Sequence, residues 1–315
     1  MYAWIGWLTS QRLSARGVRR VLAALPRWIV YPLLVLLGTC IHACARHTRQ
    51  RIDSNIRTLL PELRVSERWR IGRRYIVHEC MTIFEQAVEY RHALSTTHPR
   101  RARIELDGVE QLDAALRLGR GAILYTPHLG NYFYSYWRLS QDYDATTVVT
   151  AGSQELRKLF EEVYALGGMK GYDYDTEPPR ELAFKLRAHL KQNGVVFLLS
   201  DFSRAEFPEC TLFGKPSHLP VGALTLALLQ QSPVVPCYGE RIGWGKHRLV
   251  FLPPLHLHER YTIRQRDEAM QQLASTMERM IRQAPEQWLY WFNVHQRWEI
   301  APASTPAAVA TAPEL

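Results

Sequence analysis

Between residues 101 and 241, short apolar runs alternate with stretches that pattern as helices, and this alternation constrains the chain more than any other feature. Arg103-Ile-Glu-Leu106 reads as an edge strand. Residues 121–126, 145–150, 195–200 and 234–238 read as strands, and 249–252 as a further one. Helical patterns fill 109–118, 132–139, 154–166, 179–192 and 219–230. Gly119, Gly167-Gly168 and Gly194 close three of them, as expected of C-terminal glycines. Strands separated by helices of this length predict an α/β fold with a mainly parallel central sheet covered by helices. A long terminal helix is expected over 262–284. With 315 residues the chain can bury the core of one large domain.

The amino-terminal end differs in character. No acid precedes Asp53, and Arg12, Arg16, Arg19, Arg20 and Arg27 lead into an apolar run from Trp28 to Ala45. Arg46, Arg49 and Arg51 follow it. The run is at the short end for a membrane-spanning helix, which needs ~17–25 residues. Arginines on both flanks would meet anionic head groups. An N-terminal membrane-anchoring helix over about 28–45 accounts best for the pattern; a buried core helix and a cleaved signal peptide compete with it. The domain layout expected is a basic segment and membrane helix over 1–50, an α/β domain over 51–300 and a disordered Ala/Pro/Thr-rich tail over 301–315. In the helical stretch after residue 51, Ile71, Tyr75, His78, Thr82 and Glu85 share one face.

Net charge is +9, which suits an anionic membrane or an acidic protein partner. The basic residues concentrate around the membrane segment and no nucleic-acid reader motif is present, so no nucleic-acid partner is expected. Five cysteines without framework spacing indicate reduced thiols in a cytosol-facing protein. No metal cluster, phosphate loop or nucleophilic serine or cysteine motif occurs, so neither a metal nor a cofactor is expected.

The stretch with chemistry in it is Gly121-Ala-Ile-Leu-Tyr-Thr-Pro-His128-Leu-Gly-Asn131. His128 stands just beyond the carboxyl end of a buried strand, where ligands bind in open α/β sheets. It is a candidate general base, against the plainer role of a hydrogen-bonded loop histidine. Asp201 follows strand 195–200 as His128 follows strand 121–126. In a parallel sheet both lie on one edge, and a carboxylate accepting Nδ1–H would fix the imidazole tautomer. Arg204 and Lys215, in the long loop after Asp201, are candidate substrate-binding cations, against the plainer role of solvated surface residues. Arg241 and backbone N–H groups around Gly130 and Asn131 are candidates for the charge that grows on a carbonyl oxygen. A salt bridge to Glu240 is the alternative for Arg241. Trp288, Tyr290, Trp291 and Trp298 are expected to pack core and rim, with lining a substrate groove as the alternative.

An ordered set of short motifs resembles the lipid A biosynthesis late acyltransferases (lauroyl and myristoyl transferases), within the lysophospholipid acyltransferase-like superfamily. The set comprises Asn55-Ile-Arg-Thr-Leu-Leu-Pro61, Gly119-Arg-Gly-Ala-Ile-Leu before His128-Leu-Gly-Asn-Tyr, Asp201, Leu212-Phe-Gly-Lys-Pro216, Ala227 to Pro236 leading to Arg241, and Pro285-Glu-Gln-Trp-Leu-Tyr-Trp-Phe-Asn-Val-His-Gln-Arg-Trp298. The resemblance implies a bacterial inner-membrane enzyme with its catalytic domain on the cytoplasmic face. Such an enzyme moves an acyl chain from acyl carrier protein to a hydroxyl of a lipid A-type glycolipid. The family signature is His, four residues, then Glu or Asp; here that position is Phe133. Asp201 is the preferred replacement acid, with Glu206 and Glu209 as alternatives. The departure leaves two other readings open. One is transfer to a different lipid or polyene acceptor; the other is a membrane-tethered binding homologue without turnover.

Overall fold

The computed structural model describes residues 22–94, 103–150 and 154–298. The arginines before residue 22 and the tail expected to be disordered, 301–315, lie outside the described residues. Helices α1 (Arg27–Cys44), α2 (Arg46–Leu59) and α3 (Val65–Phe84) lead, through a π-helical turn over Glu85–Glu89, into the α/β part. There the chain runs through β1 (Arg103–Asp107), α4 (Glu110–Leu116), β2 (Ala122–Thr126), α5 (Tyr132–Asp142), β3 (Ala145–Val149), α6 (Gln154–Gly167) and β4 (Lys170–Asp173). Then come α7 (Pro179–Lys191), β5 (Val195–Leu199), a hairpin of β6 (Glu209–Leu212) and β7 (Lys215–His218), α8 (Gly222–Gln230), β8 (Val234–Gly243), β9 (Lys246–Phe251) and α9 (Arg266–Ile281).

Seven of these strands form one sheet in the order β1-β9-β8-β2-β5-β3-β4. Every pairing in it is parallel except β8 with β9, which the turn at Gly243–Gly245 makes antiparallel. The mainly parallel sheet expected from the alternation is therefore present. Alternate side chains feed two cores. Ile123, Tyr125 and Val196 join the layer containing α2, α3 and α9, while Ala122, Leu124 and Phe197 join the layer containing α4 and α5. Both faces of β2 are covered, which is why its five residues are all buried and all but the last apolar.

Helix α1 matches the anticipated apolar run to within a residue at each end, and its length and composition allow it to cross a membrane. It lies along α3. A Cβ on Gly38 would come 2.6 Å from the Val77 Cα, so the absence of a side chain there permits the approach. Val30 and Tyr31 pack on Met81 and Phe84. The opposite face, with Trp28, Leu33, Leu36 and Leu37, is exposed and apolar. Two polar ties fix the inner end: Arg27 Nε to Glu89 Oε1 at 2.6 Å, and the Tyr31 hydroxyl to Glu85 Oε1 at 2.7 Å.

Candidate active site

The register of the central strands sets the site. Thr126 of β2 pairs with Leu199 of β5, the last residues of each strand, and the Ser200 N–H extends the ladder to the Thr126 carbonyl. Two residues further along each chain stand His128 and Asp201, now level on the carboxyl edge of the sheet. The Asp201 carboxylate holds the histidine at two points. Oδ1 lies 2.5 Å from Nδ1, and Oδ2 accepts the His128 backbone N–H at 2.9 Å. Oδ2 also accepts the Trp288 indole N–H at 2.8 Å, and Arg297 donates to the Asp201 carbonyl. Asp201 is fully buried. Burial pushes its carboxyl up, but His128, Arg297 and the indole N–H outweigh that and hold it below the usual carboxylate range. An ionised acceptor at Nδ1 assigns the ring proton to that nitrogen and leaves the lone pair on Nε2.

His128 lines a cleft of about 220 Å³ whose other walls include Phe133, Phe160, Phe197, Leu199, Phe202 and Tyr290. The imidazole sits edge-on between the Tyr132 and Tyr290 rings, at 4.9 and 5.3 Å between centroids. Phe133, at the position where the family signature has an acid, presents its ring to this apolar wall and packs against Tyr132 and Phe160. Phe133→Glu would therefore set a charge against apolar carbon. The expected result is a loss of about 1–3 kcal/mol of stability, the cost of burying a polar group without a partner. Thermal unfolding beside the parent checks it.

Several residues anticipated as substrate contacts have other work. Arg241 neither lines the cleft nor pairs with Glu240. Its guanidinium grips both oxygens of Glu85, and it also reaches Thr82 and the His78 ring. Burial pushes the Glu85 carboxyl up, yet Arg241 and then His247 hold it well below its ordinary range. The Gly130 N–H donates to the Gln287 carbonyl, so it is not a donor to substrate. Gly130 has φ 63° and stands so close to Gly239 that a Cβ would come 2.6 Å from its carbonyl oxygen. Asn131 caps α5 by accepting the Tyr134 N–H and donates Nδ2–H to Glu85 Oε2 at 2.8 Å. Lys215 starts the second strand of the 209–218 hairpin and is not among the residues of the cleft wall. Arg204 does line the cleft, held by Asp175 at 2.8 Å and Glu206 at 3.8 Å. Glu206 is thus a partner of Arg204, and Glu209 lies exposed on the hairpin; the acid at His128 is Asp201.

For the aromatic residues of the carboxy-terminal segment, packing is the expectation and a groove role the alternative; Tyr290 lines the cleft. Trp288 and Trp291 are fully buried, but Trp288 also bonds Asp201, and the Leu289 N–H donates to the His128 carbonyl at 3.0 Å. Gln287 bonds Arg241 through its side chain and Gly130 through its carbonyl. The signal available for these contacts was the density of polar and aromatic residues in 285–298, which a purely packing segment does not need.

A histidine–carboxylate pair on an aromatic cleft at the sheet's carboxyl edge can remove a proton from a hydroxyl. The family model for bacterial lipid A biosynthesis acyltransferases matches residues 4–299. The chain belongs to this family. Among curated proteins it is similar to phosphatidylinositol mannoside acyltransferase of Mycobacterium tuberculosis strain H37Rv, with 31% identity over 166 residues, covering 48% of this chain and 51% of the relative. The same protein from strain CDC 1551 gives the same identity and coverage. The chain thus matches about half the length of these curated relatives. Among solved structures, 1-acyl-sn-glycerophosphate acyltransferase PlsC from Thermotoga maritima overlaps 83% of this chain and 98% of its own, at 17% identity and a TM-score of 0.37.

Proposed function

We propose that this family member transfers a fatty acyl chain from acyl carrier protein to a hydroxyl of a lipid A-type glycolipid, at the cytoplasmic face of a bacterial inner membrane. The observation that carries the reading is the buried Asp201 carboxylate on Nδ1 of a cleft-facing His128. His128 Nε2 takes the proton of the acceptor hydroxyl as its oxygen attacks the thioester carbonyl carbon. Asp201 stabilises the imidazolium. Negative charge moves to the carbonyl oxygen, and Arg204 is the cation on the cleft wall. The tetrahedral intermediate then collapses; the C–S bond breaks, and the imidazolium returns its proton to the departing thiolate. Ester and free carrier thiol leave.

The aromatic and aliphatic lining suits the acyl chain, and the exposed apolar face of α1 with its arginine flanks suits an anionic membrane. A different lipid acceptor is the second reading. It is favoured by the curated relatives, which are named for a phosphatidylinositol mannoside. Asp201 on His128 supports turnover over a binding-only homologue, although Phe133 stands where the family signature has an acid. The test is full-length protein in detergent, radiolabelled palmitoyl-acyl carrier protein and lipid extracts, with products read by mass spectrometry. Label is expected in a lipid A-type ester and not in a phosphatidylinositol mannoside, and none with His128→Ala. Label in another lipid class would select the second reading. No transfer at all would return the binding-only one.

A further inference from the structure

The membrane helix and the catalytic loop meet at one carboxylate. Tyr31 in α1 is fully buried, and its hydroxyl donates to Glu85 Oε1 at 2.7 Å. The other oxygen, Oε2, accepts the Asn131 Nδ2–H at 2.8 Å. Asn131 is the N-cap of α5, and its residue position closes the turn that begins at His128. A second route leaves the same carboxylate through Arg241, whose backbone N–H and carbonyl are both held by the Gln287 side chain. The Gln287 carbonyl in turn accepts the Gly130 N–H. The π-helical turn puts Glu85 and Glu89 together on the side facing α1, where Tyr31 and Arg27 meet them. Single π turns inside α-helices are frequent at functional sites. The loop has little slack of its own, because Gly130 already touches the Gly239 backbone.

We propose that Tyr31 and Glu85 are positioning residues for His128, so that the N-terminal helix is part of the catalytic frame as well as the membrane anchor. This rests on the reading of His128 as the base. A carboxylate held by Tyr31, Arg241 and Asn131, with the His247 ring 3.4 Å from Oε1, fixes where the Asn131 amide stands and hence how the turn from His128 runs. With the Tyr31 hydroxyl gone, Glu85 is drawn toward Arg241 and its hold on Asn131 loosens. Small displacements of a catalytic group are expensive: about 1 Å can cost ~10²-fold in rate.

Tyr31→Phe isolates the hydroxyl. The ring that packs on Phe84 and stacks with Trp244 stays, so the apolar helix keeps its seat. Full-length parent and variant in detergent are compared by hydrogen–deuterium exchange and by transfer from palmitoyl-acyl carrier protein. The expected result is faster exchange confined to residues 126–134, a fall of about tenfold in kcat, an unchanged KM and unchanged sedimentation with membranes. Unchanged exchange in 126–134, or an increase that spreads to the β5 peptide, overturns the proposal. So does local loosening with parental kcat. Should the parent itself transfer nothing, the acyltransfer reading fails separately, and exchange alone decides whether Tyr31 holds the loop. Glu85→Gln, which keeps the shape and loses the charge, must loosen the same peptide.

Discussion

Asp201→Asn lowers turnover by about 10²–10⁴ while leaving the fold and KM near those of the parent. The reason is in the donor set. Asp201 accepts from the His128 ring, the His128 backbone and the Trp288 indole, so both oxygens are committed. An asparagine has one acceptor oxygen and an NH2 that can only donate. With its oxygen on the backbone and indole donors, the NH2 faces Nδ1 and forces the ring proton onto Nε2. The nitrogen facing the cleft then cannot accept a proton. Steady-state kinetics beside a thermal unfolding curve check this. A well-folded variant keeping more than about a tenth of parental turnover would take Asp201 out of the mechanism, since general-base catalysis is worth ~10²–10⁴.

Glu85→Ala costs about 3–5 kcal/mol of stability, the range for breaking a buried pair by removing one partner. Arg241 has a side chain only 7% exposed and would be left with Thr82 and His78, neither of them anionic. The pH dependence has a definite sign. An unfolded glutamate titrates near ~4.3, and Glu85 in the folded chain titrates well below that. Its contribution is complete above about pH 4.3 and is lost as pH falls through the lower folded value. Chemical denaturation in detergent should show Glu85→Ala weakened at neutral pH, and Glu85→Gln without that acid-side decline. A Glu85→Ala variant as stable as the parent would mean the network carries no net stability.

Strands β2 and β5 were legible because each is an unbroken apolar run bounded by Gly and Pro or by Gly and polar residues. In a parallel sheet the residues just past two such strands share one edge. That topology was enough to pair Asp201 with His128. Other elements were hidden for physical reasons. Strand β4 is Lys-Gly-Tyr-Asp at a sheet edge, exposed enough to need no apolar pattern. The hairpin 209–218 read as loop; its sign was Phe213-Gly214, both with positive φ, at the turn. The reversed direction of β9 against β8 leaves no trace in hydrophobicity. Arg241 was read beside Glu240, its neighbour in sequence. Its true partner lies 156 residues earlier, and Glu240 is taken by Arg248. The roles of Gln287, Trp288 and Arg297 were equally out of reach, since each depends on a group 46 to 96 residues away.

The order of synthesis gives the carboxy-terminal segment a further meaning. His128 and Asp201 have both left the ribosome long before Trp288 and Arg297, which complete the surroundings of the aspartate. Leu289 and Trp291 then pin the same strip to the His128 carbonyl and to Asn55. A nascent chain stopped before residue 285 therefore carries the base and its acid without the indole and guanidinium that hold them. Helix α1, which carries Tyr31, and the π-helical turn that carries Glu85 precede the site in the chain, and the strip that completes it follows all the strands of the sheet. The surroundings of the pair are thus closed by the segment made last among those that touch it.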